Sequence, residues 1–205
     1  MSKEVDSRPA HSLMWRSVIA STSPTHWAGV AADHLDATLS DHAHCEKKAA
    51  ISALSMLNAY PEDDELVRAM TALASEELGH FAEVYRVLRA RGANLGRDFG
   101  DPYVQALLGN VRQPPAQRKI DRLLICALIE ARSCERFRLL GEELGRRGDR
   151  NMAALFVRFA NSEAGHAILF KGLAEREGSV DKRLGELSAV ETAIVERMPV
   201  LPRIH

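Results

Sequence analysis

Apolar residues recur at intervals of three and four along most of the chain, and clusters of Gly and Pro interrupt them, which predicts long amphipathic helices and no strands. The first helical stretch runs from about Pro24, with Ser23 as candidate cap, to Tyr60 before Pro61, and its opening turns can stand as a separate short helix. The second runs from about Glu62 to Arg91 and stops at Gly92; Leu66, Met70, Leu73, Ala74, Phe81, Val84 and Leu88 mark its buried face. Residues 92–115 hold too many breakers for one helix, although Tyr103 to Val111 can form a short one, so this stretch is predicted to be a crossover. A third helix begins near Pro115 and ends at Gly148; a fourth starts at Asp149, a plausible N-cap, and ends at Gly178. Short links between the first and second and between the third and fourth, with one long link between the pairs, predict an all-α, ferritin-like four-helix bundle with a single crossover. An extra C-terminal helix over about Asp181 to Met198 is expected to pack on the outside. The expected organisation is one domain over 1–205, with a core of about 24–178 and an accessory helix and tail over 179–205.

Composition sharpens this picture. A chain of 205 residues, 46% hydrophobic and 5% aromatic, buries enough surface to fold without a disulfide or structural metal, so any metal serves chemistry. A net charge of −1 excludes the strongly basic character of a non-specific nucleic-acid coat but leaves room for local basic patches. Cys45, Cys126 and Cys134 are odd in number and lack Cys-x-x-Cys spacing, which predicts buried thiols of a reducing compartment. No apolar stretch approaches membrane-spanning length, and Met1 to Arg16 lacks an apolar signal core, so a cytoplasmic protein with no membrane association is expected.

Two segments place a Glu three residues before a His: Glu77-Leu-Gly-His80 and Glu163-Ala-Gly-His166. Residues so spaced on a helix are separated by about 60° in azimuth and about 4.5 Å in rise, so both can reach one metal. With eight His in the chain, roughly 0.7 such pairs are expected by composition, so one alone would mean little. Each, however, is preceded on the previous helix by a Glu in an apolar stretch, Glu46 leading Glu77 by 31 positions and Glu130 leading Glu163 by 33. In helices joined by short loops, these leads place each pair of carboxylates at similar depth. Four buried carboxylates would repel one another, and divalent cations relieve that repulsion. Two single Glu plus two Glu-x-x-His is the donor set of di-iron and di-manganese bundle proteins, and oxygen-rich ligands without thiolate favour iron or manganese over zinc or copper. Ala43, Ala49, Ala50 and Ala53 near Glu46 argue against a solvent-facing salt-bridged role.

Neighbouring polar residues carry less signal. Glu76 and Glu135 lie about 100° and 140° round their helices from Glu77 and Glu130, which predicts exposed carboxylates or partners of ligands rather than ligands. His42, four residues before Glu46, shares nearly the same face, whereas His44 is expected to face solvent. His11, His26, His34 and His205 show no recognisable spacing.

Such a donor set serves iron oxidation and storage, peroxide scavenging, or dioxygen activation for insertion into an organic substrate, and the ligands alone do not choose. The surrounding blocks are more specific. Asp41-His-Ala-His-Cys-Glu46-Lys-Lys-Ala-Ala50, Glu76-Glu-Leu-Gly-His80-Phe81, Leu123 to Phe137 and Ser162-Glu-Ala-Gly-His166 resemble the tRNA 2-methylthio-isopentenyladenosine hydroxylases of the MiaE type, over about Trp27 to Glu177. The resemblance implies a cytoplasmic non-haem di-iron monooxygenase that hydroxylates the isopentenyl group of the modified adenosine beside the anticodon. It implies Glu46, Glu77, His80, Glu130, Glu163 and His166 as ligands of two iron ions, with Glu77, Glu130 or both bridging. Dioxygen would be the co-substrate, and electrons would come from a separate reductase or ferredoxin. The alternative is a ferritin-like ferroxidase or peroxide-scavenging di-iron protein. A tRNA anticodon loop as partner calls for basic groups on phosphate, and three clusters offer them: Arg86, Arg89, Arg91 and Arg97; Arg146, Arg147 and Arg150; Lys47 and Lys48.

Overall fold

A computed structural model describes residues 14–205, so the readings placed on His11 and on most of Met1 to Arg16 lie outside the described residues. After a 3-10 turn at Trp15–Ser17 come α1 (Trp27–Asp33), α2 (Leu35–Ala59), α3 (Asp64–Ala90), α4 (Pro102–Leu108), α5 (Pro115–Arg146), α6 (Arg150–Arg176) and α7 (Asp181–Arg197). The described residues contain no strand. Four long helices in two short-linked pairs, α4 within the long crossover and α7 after the fourth give the ferritin-like four-helix bundle connectivity expected from the sequence. The separate opening helix is also present: at His34 (φ −118°, ψ 43°) the backbone leaves helical geometry and divides α1 from α2. The chain falls into two compact units, residues 29–100 with 201–204, and residues 101–200 with 205 and the described part of 1–28.

The first unit is built on the α2–α3 hairpin. Asp63 caps α3 by accepting a hydrogen bond from Leu66 N at 3.1 Å, and Gly92 (φ 80°) takes the left-handed conformation that ends it. The crossover then returns along α2. Gly96 N donates to Ser40 Oγ at 2.9 Å, His44 Nε2 reaches Gly96 O at 2.8 Å, and Lys47 and Lys48 meet Asp98 at 3.1 and 3.6 Å. His44 is therefore buried, not solvent-facing as expected, because the crossover covers it. Burial alone would raise the Asp98 pKa, but the Gly100 N–H and the two lysines outweigh it and hold the carboxyl at about 2. Arg203 Nε and Ile204 N both donate to Asp41 on α2, at 2.9 and 2.7 Å.

The second unit is built on the α5–α6 hairpin, turned by Gly148 (φ 88°) and capped by Asp149, which accepts from Met152 N at 3.0 Å. Gly141 lets the two helices approach closely, since a Cβ there would lie 3.3 Å from Ala153 O and from Val157 Cγ2. Phe137 packs against Phe156 and Phe159 at ring distances of 5.7 and 6.0 Å. α7 packs on α4 and α5 and does more than cover them. Its Glu191 is fully buried and accepts from Arg132 Nε and Nη2 at 2.8 and 3.0 Å and from Tyr103 Oη at 3.0 Å. Burial and the Glu191 charge push the Tyr103 phenol well up, so it remains a donor.

Two expectations fail at this network. Glu135 is neither exposed nor beside the Glu130 cluster in role: it is buried, and it accepts from Ser23 N and Ser23 Oγ, each at 2.7 Å, and from Arg132 Nη1 at 2.5 Å. Ser23 in turn does not cap a helix, because its hydroxyl is committed to a carboxylate 112 residues away. Asp121 forms a second anchor in this unit, held by Arg112 and Arg183; although burial opposes it, their hydrogen bonds bring its pKa to about 2.

Candidate metal centre

Five of the six residues singled out in the sequence, Glu46, Glu77, Glu130, Glu163 and His166, occupy buried positions of their helices, and the sixth, His80, is half-buried. On α2 the buried positions Leu39, His42, Ala43, Glu46, Ala50 and Ala53 form one stripe at helical spacing, so Glu46 stands where an apolar residue would be expected. On α3 the stripe Leu66, Met70, Leu73, Glu77, Val84 and Leu88 does the same for Glu77. On α5 Glu130 lies among Ala127, Ala131 and Cys134, and on α6 Glu163 and His166 interrupt the run Phe156, Phe159, Ala160, Ala167 and Phe170. A carboxylate at such a position loses its hydration and needs a partner that restores it.

In the first unit Glu46, Glu77 and His80 come together, with one ligand atom of each lying within 4.8 Å of the others. His80 Nδ1 is 3.2 Å from Glu77 Oε2 and 3.5 Å from Glu46 Oε2. Its Nε2 turns outward, 3.7 Å from Glu76 Oε1, whose side chain is 48% exposed. Glu76 is thus an ionic neighbour of the outer nitrogen of the imidazole, while the inner nitrogen faces the carboxylates. His42, completely buried, is hydrogen-bonded through Nε2 to Glu46 Oε1. In the second unit Glu130, Glu163 and His166 have ligand atoms within 4.8 Å of one another, and His166 Nδ1 is 3.3 Å from Glu163 Oε2. Each unit therefore gathers two carboxylates and one imidazole, a set suited to a divalent cation with oxygen and nitrogen ligands.

The thiols do not enter these groups. None of the three cysteines forms a disulfide; Cys134 is buried, Cys45 and Cys126 are half-buried where buried thiols were expected, and burial pushes the Cys134 thiol up to about 11, which keeps it protonated. Sequence reasoning missed Arg132, Tyr103 and Glu191, although an Arg inside the apolar run Leu128 to Phe137 was the available signal. Several basic groups offered to RNA are engaged within the fold: Lys47 and Lys48 with Asp98, Arg91 Nε with Asp36 at 2.5 Å, and Arg146 and Arg147 with Glu143. Arg86, Arg97 and Arg150 are exposed. Among the described residues no helix is long and apolar enough to cross a membrane.

A family model described as tRNA-(MS2IO6A)-hydroxylase (MiaE) matches residues 12–205. A tRNA 2-(methylsulfanyl)-N(6)-isopentenyladenosine(37) hydroxylase of Pseudomonas putida is 39% identical over 128 residues, which are 60% of this chain and 62% of the relative. A protein of the same name from Salmonella typhimurium is 33% identical over 129 residues, covering 60% of this chain and 46% of the relative. The matched stretch thus spans less than two thirds of the length of either curated relative. Among solved structures, a Synechococcus protein with aldehyde deformylating oxygenase activity superposes with a TM-score of 0.85 and 34% identity, covering 91% of this chain and 94% of its own.

Proposed function

The chain belongs to the tRNA-(MS2IO6A)-hydroxylase (MiaE) family, and from that premise we propose that it is a non-haem di-iron monooxygenase that hydroxylates the isopentenyl side chain of 2-methylthio-isopentenyladenosine in tRNA, beside the anticodon. The observation that carries this reading is the doubled triad: Glu46, Glu77 and His80 in one unit, and Glu130, Glu163 and His166 in the other, all buried except the half-buried His80. In this reading the six side chains act together as ligands of two iron ions, and residues 24–178 work as a single di-iron domain with 179–205 as an accessory helix and tail. The donor set fits: carboxylates too deeply buried to be hydrated gain a cation, and neutral imidazoles complete it.

When bound, the iron pair activates dioxygen for insertion of one oxygen atom into a carbon–hydrogen bond. The second oxygen atom leaves as water, with two electrons from an external reductase or ferredoxin and two protons. The chain's own residues hold the ions and keep bulk water away. Ala43, Ala50 and Ala53 on α2, Ala127 and Ala131 on α5 and Ala160, Ala164 and Ala167 on α6 are all buried, and their small side chains leave the carboxylates uncrowded. The exposed guanidinium groups of Arg86, Arg97 and Arg150 are offered to the phosphates of the anticodon loop. The protein works in the cytoplasm, where this substrate is found.

The test is mass spectrometry of nucleosides after iron-loaded, reduced protein and dioxygen have met tRNA carrying the prenylated adenosine. A gain of one oxygen on that nucleoside, absent without dioxygen, is expected. The likeness to a protein with aldehyde deformylating oxygenase activity sets the control. Consumption of an aldehyde with no change in the tRNA would replace the substrate class while leaving the iron site standing.

A further inference from the structure

The two triads have the same ligand types but unlike neighbours one helical turn away. Four residues before Glu46 stands His42, and four residues before Glu130 stands Cys126. A residue at i−4 lies about 40° from its partner in azimuth and about 6 Å away along the axis, close enough for an imidazole to reach a carboxylate. His42 makes that contact: its ring is fully buried, and its Nε2 meets Glu46 Oε1. The other oxygen, Oε2, is the one that faces His80 Nδ1, at 3.5 Å. Glu46 is thus a carboxylate with its two oxygens turned to two different imidazoles.

We propose that His42 is a positioning residue for the metal centre: its Nε2–H holds Glu46 Oε1 and so presents Oε2 alone toward His80 and Glu77. The inference rests on the ligand assignment given above, in which Glu46 binds iron. Its physical basis is the rotational freedom of a Glu side chain. An unheld carboxylate can turn about its last torsion, which is broad and two-fold, and offer either oxygen or both. A donor at Oε1 selects one orientation before the ion arrives, so less order has to be created on binding. The imidazole stands on the buried stripe of α2, where an apolar side chain would be expected, and it is Nε2 that Glu46 engages. Groups that orient metal ligands in this way typically change affinity by roughly 10–100-fold when removed. In the α5–α6 hairpin the corresponding side chain is a thiol, a much weaker donor, so the effect belongs to one half of the centre.

The experiment compares the iron-loaded full-length chain with His42→Leu, which fills the space without a donor, and His42→Gln, whose amide can place an N–H near the imidazole Nε2. Iron release to a competing chelator is measured, together with the number of ions bound. His42→Leu is expected to hold iron about 10–100-fold more weakly while still binding two ions, and His42→Gln to recover most of that loss. Unchanged affinity in His42→Leu overturns the proposal. So does a loss of one ion in His42→Gln as well as in His42→Leu, which would make His42 itself a ligand. Glu46→Ala separates the premise from the proposal: if that variant keeps two ions at undiminished affinity, the ligand assignment has failed first. Folding of each variant is checked by circular dichroism. For the case in which neither His42 variant folds, the nitrogen-15 spectrum of the wild-type chain without metal gives an independent answer. A proton on His42 Nε2 is expected, and a bare Nε2 overturns the proposal.

Discussion

The α2–α3 and α5–α6 hairpins each carry two glutamates and one histidine at nearly the same spacing, yet they are held together differently. The first is fastened from outside. The crossover lies along α2 through Ser40, His44, Lys47 and Lys48, and its ionic partner Asp98 remains partly accessible. The second is fastened from inside, where Arg132, itself completely buried, ties Glu135 of α5 and Glu191 of α7, with Tyr103 closing the group. Matching Glu-Glu-His sets therefore do not require matching supports. One hairpin relies on contacts that water weakens, and the other on contacts whose loss strands a charge in the interior.

That contrast is most directly broken at Arg132. Arg132→Leu leaves two buried carboxylates without their cation and is expected to cost about 3–5 kcal/mol, lowering the melting temperature by roughly 10 °C or more in thermal unfolding followed by circular dichroism. A loss below about 1 kcal/mol would mean that the network is solvated and that the two hairpins are supported alike. Acid sharpens the comparison. The folded pKa values of Asp121 and Asp98 both lie near 2, below the ordinary 3.8, so each contributes stability that is present above about pH 4 and is lost as pH falls toward 2. Asp121 is fully buried between two arginines and accounts for about 2 kcal/mol of that slope; Asp98, partly exposed, accounts for less. Urea unfolding between pH 2 and 5 tests this, with Asp121→Asn expected to flatten the acid limb more than Asp98→Asn, and 1 M salt expected to shrink the Asp98 share preferentially. The smallest effect is expected for Lys47→Ala. Its side chain is 36% exposed, and its removal costs less than about 1 kcal/mol in the same unfolding measurement.

The helices and the inward-facing Glu46, Glu77, Glu130, Glu163 and His166 were legible in the sequence because both depend on local periodicity. Pro61, Gly92, Pro115, Gly148 and Gly178 mark the ends of elements wherever they fall, and Glu46 or Glu77 in an apolar stripe signals a carboxylate turned inward. The failures share a cause of another kind. Ser23 looked like a cap because four following residues determine a cap, but its partner Glu135 is 112 positions away. His44 looked exposed because its own helix leaves it off the apolar stripe, and it is the Gly96 carbonyl of the returning crossover that covers it. Arg132 could be read as out of place in an apolar run, but its partner Glu191 could not be read at all, since nothing in a helix pattern says which distant acid an inward-facing cation will meet. Periodicity reports which face of a helix is buried, while pairing across the fold is decided by tertiary geometry.

Fourteen helical positions separate the cap at Asp149 from Glu163, and the same number separate Asp63 from Glu77. A codon gained or lost inside either interval would turn everything beyond it by about 100° around the helix axis. The Glu-x-x-His would then leave the interior even though no residue of it had changed. The length of α3 between Asp63 and Glu77 and of α6 between Asp149 and Glu163 is therefore as tightly constrained by geometry as the identity of the Glu-x-x-His residues themselves. A substitution on the outer face of the same intervals leaves that register unchanged.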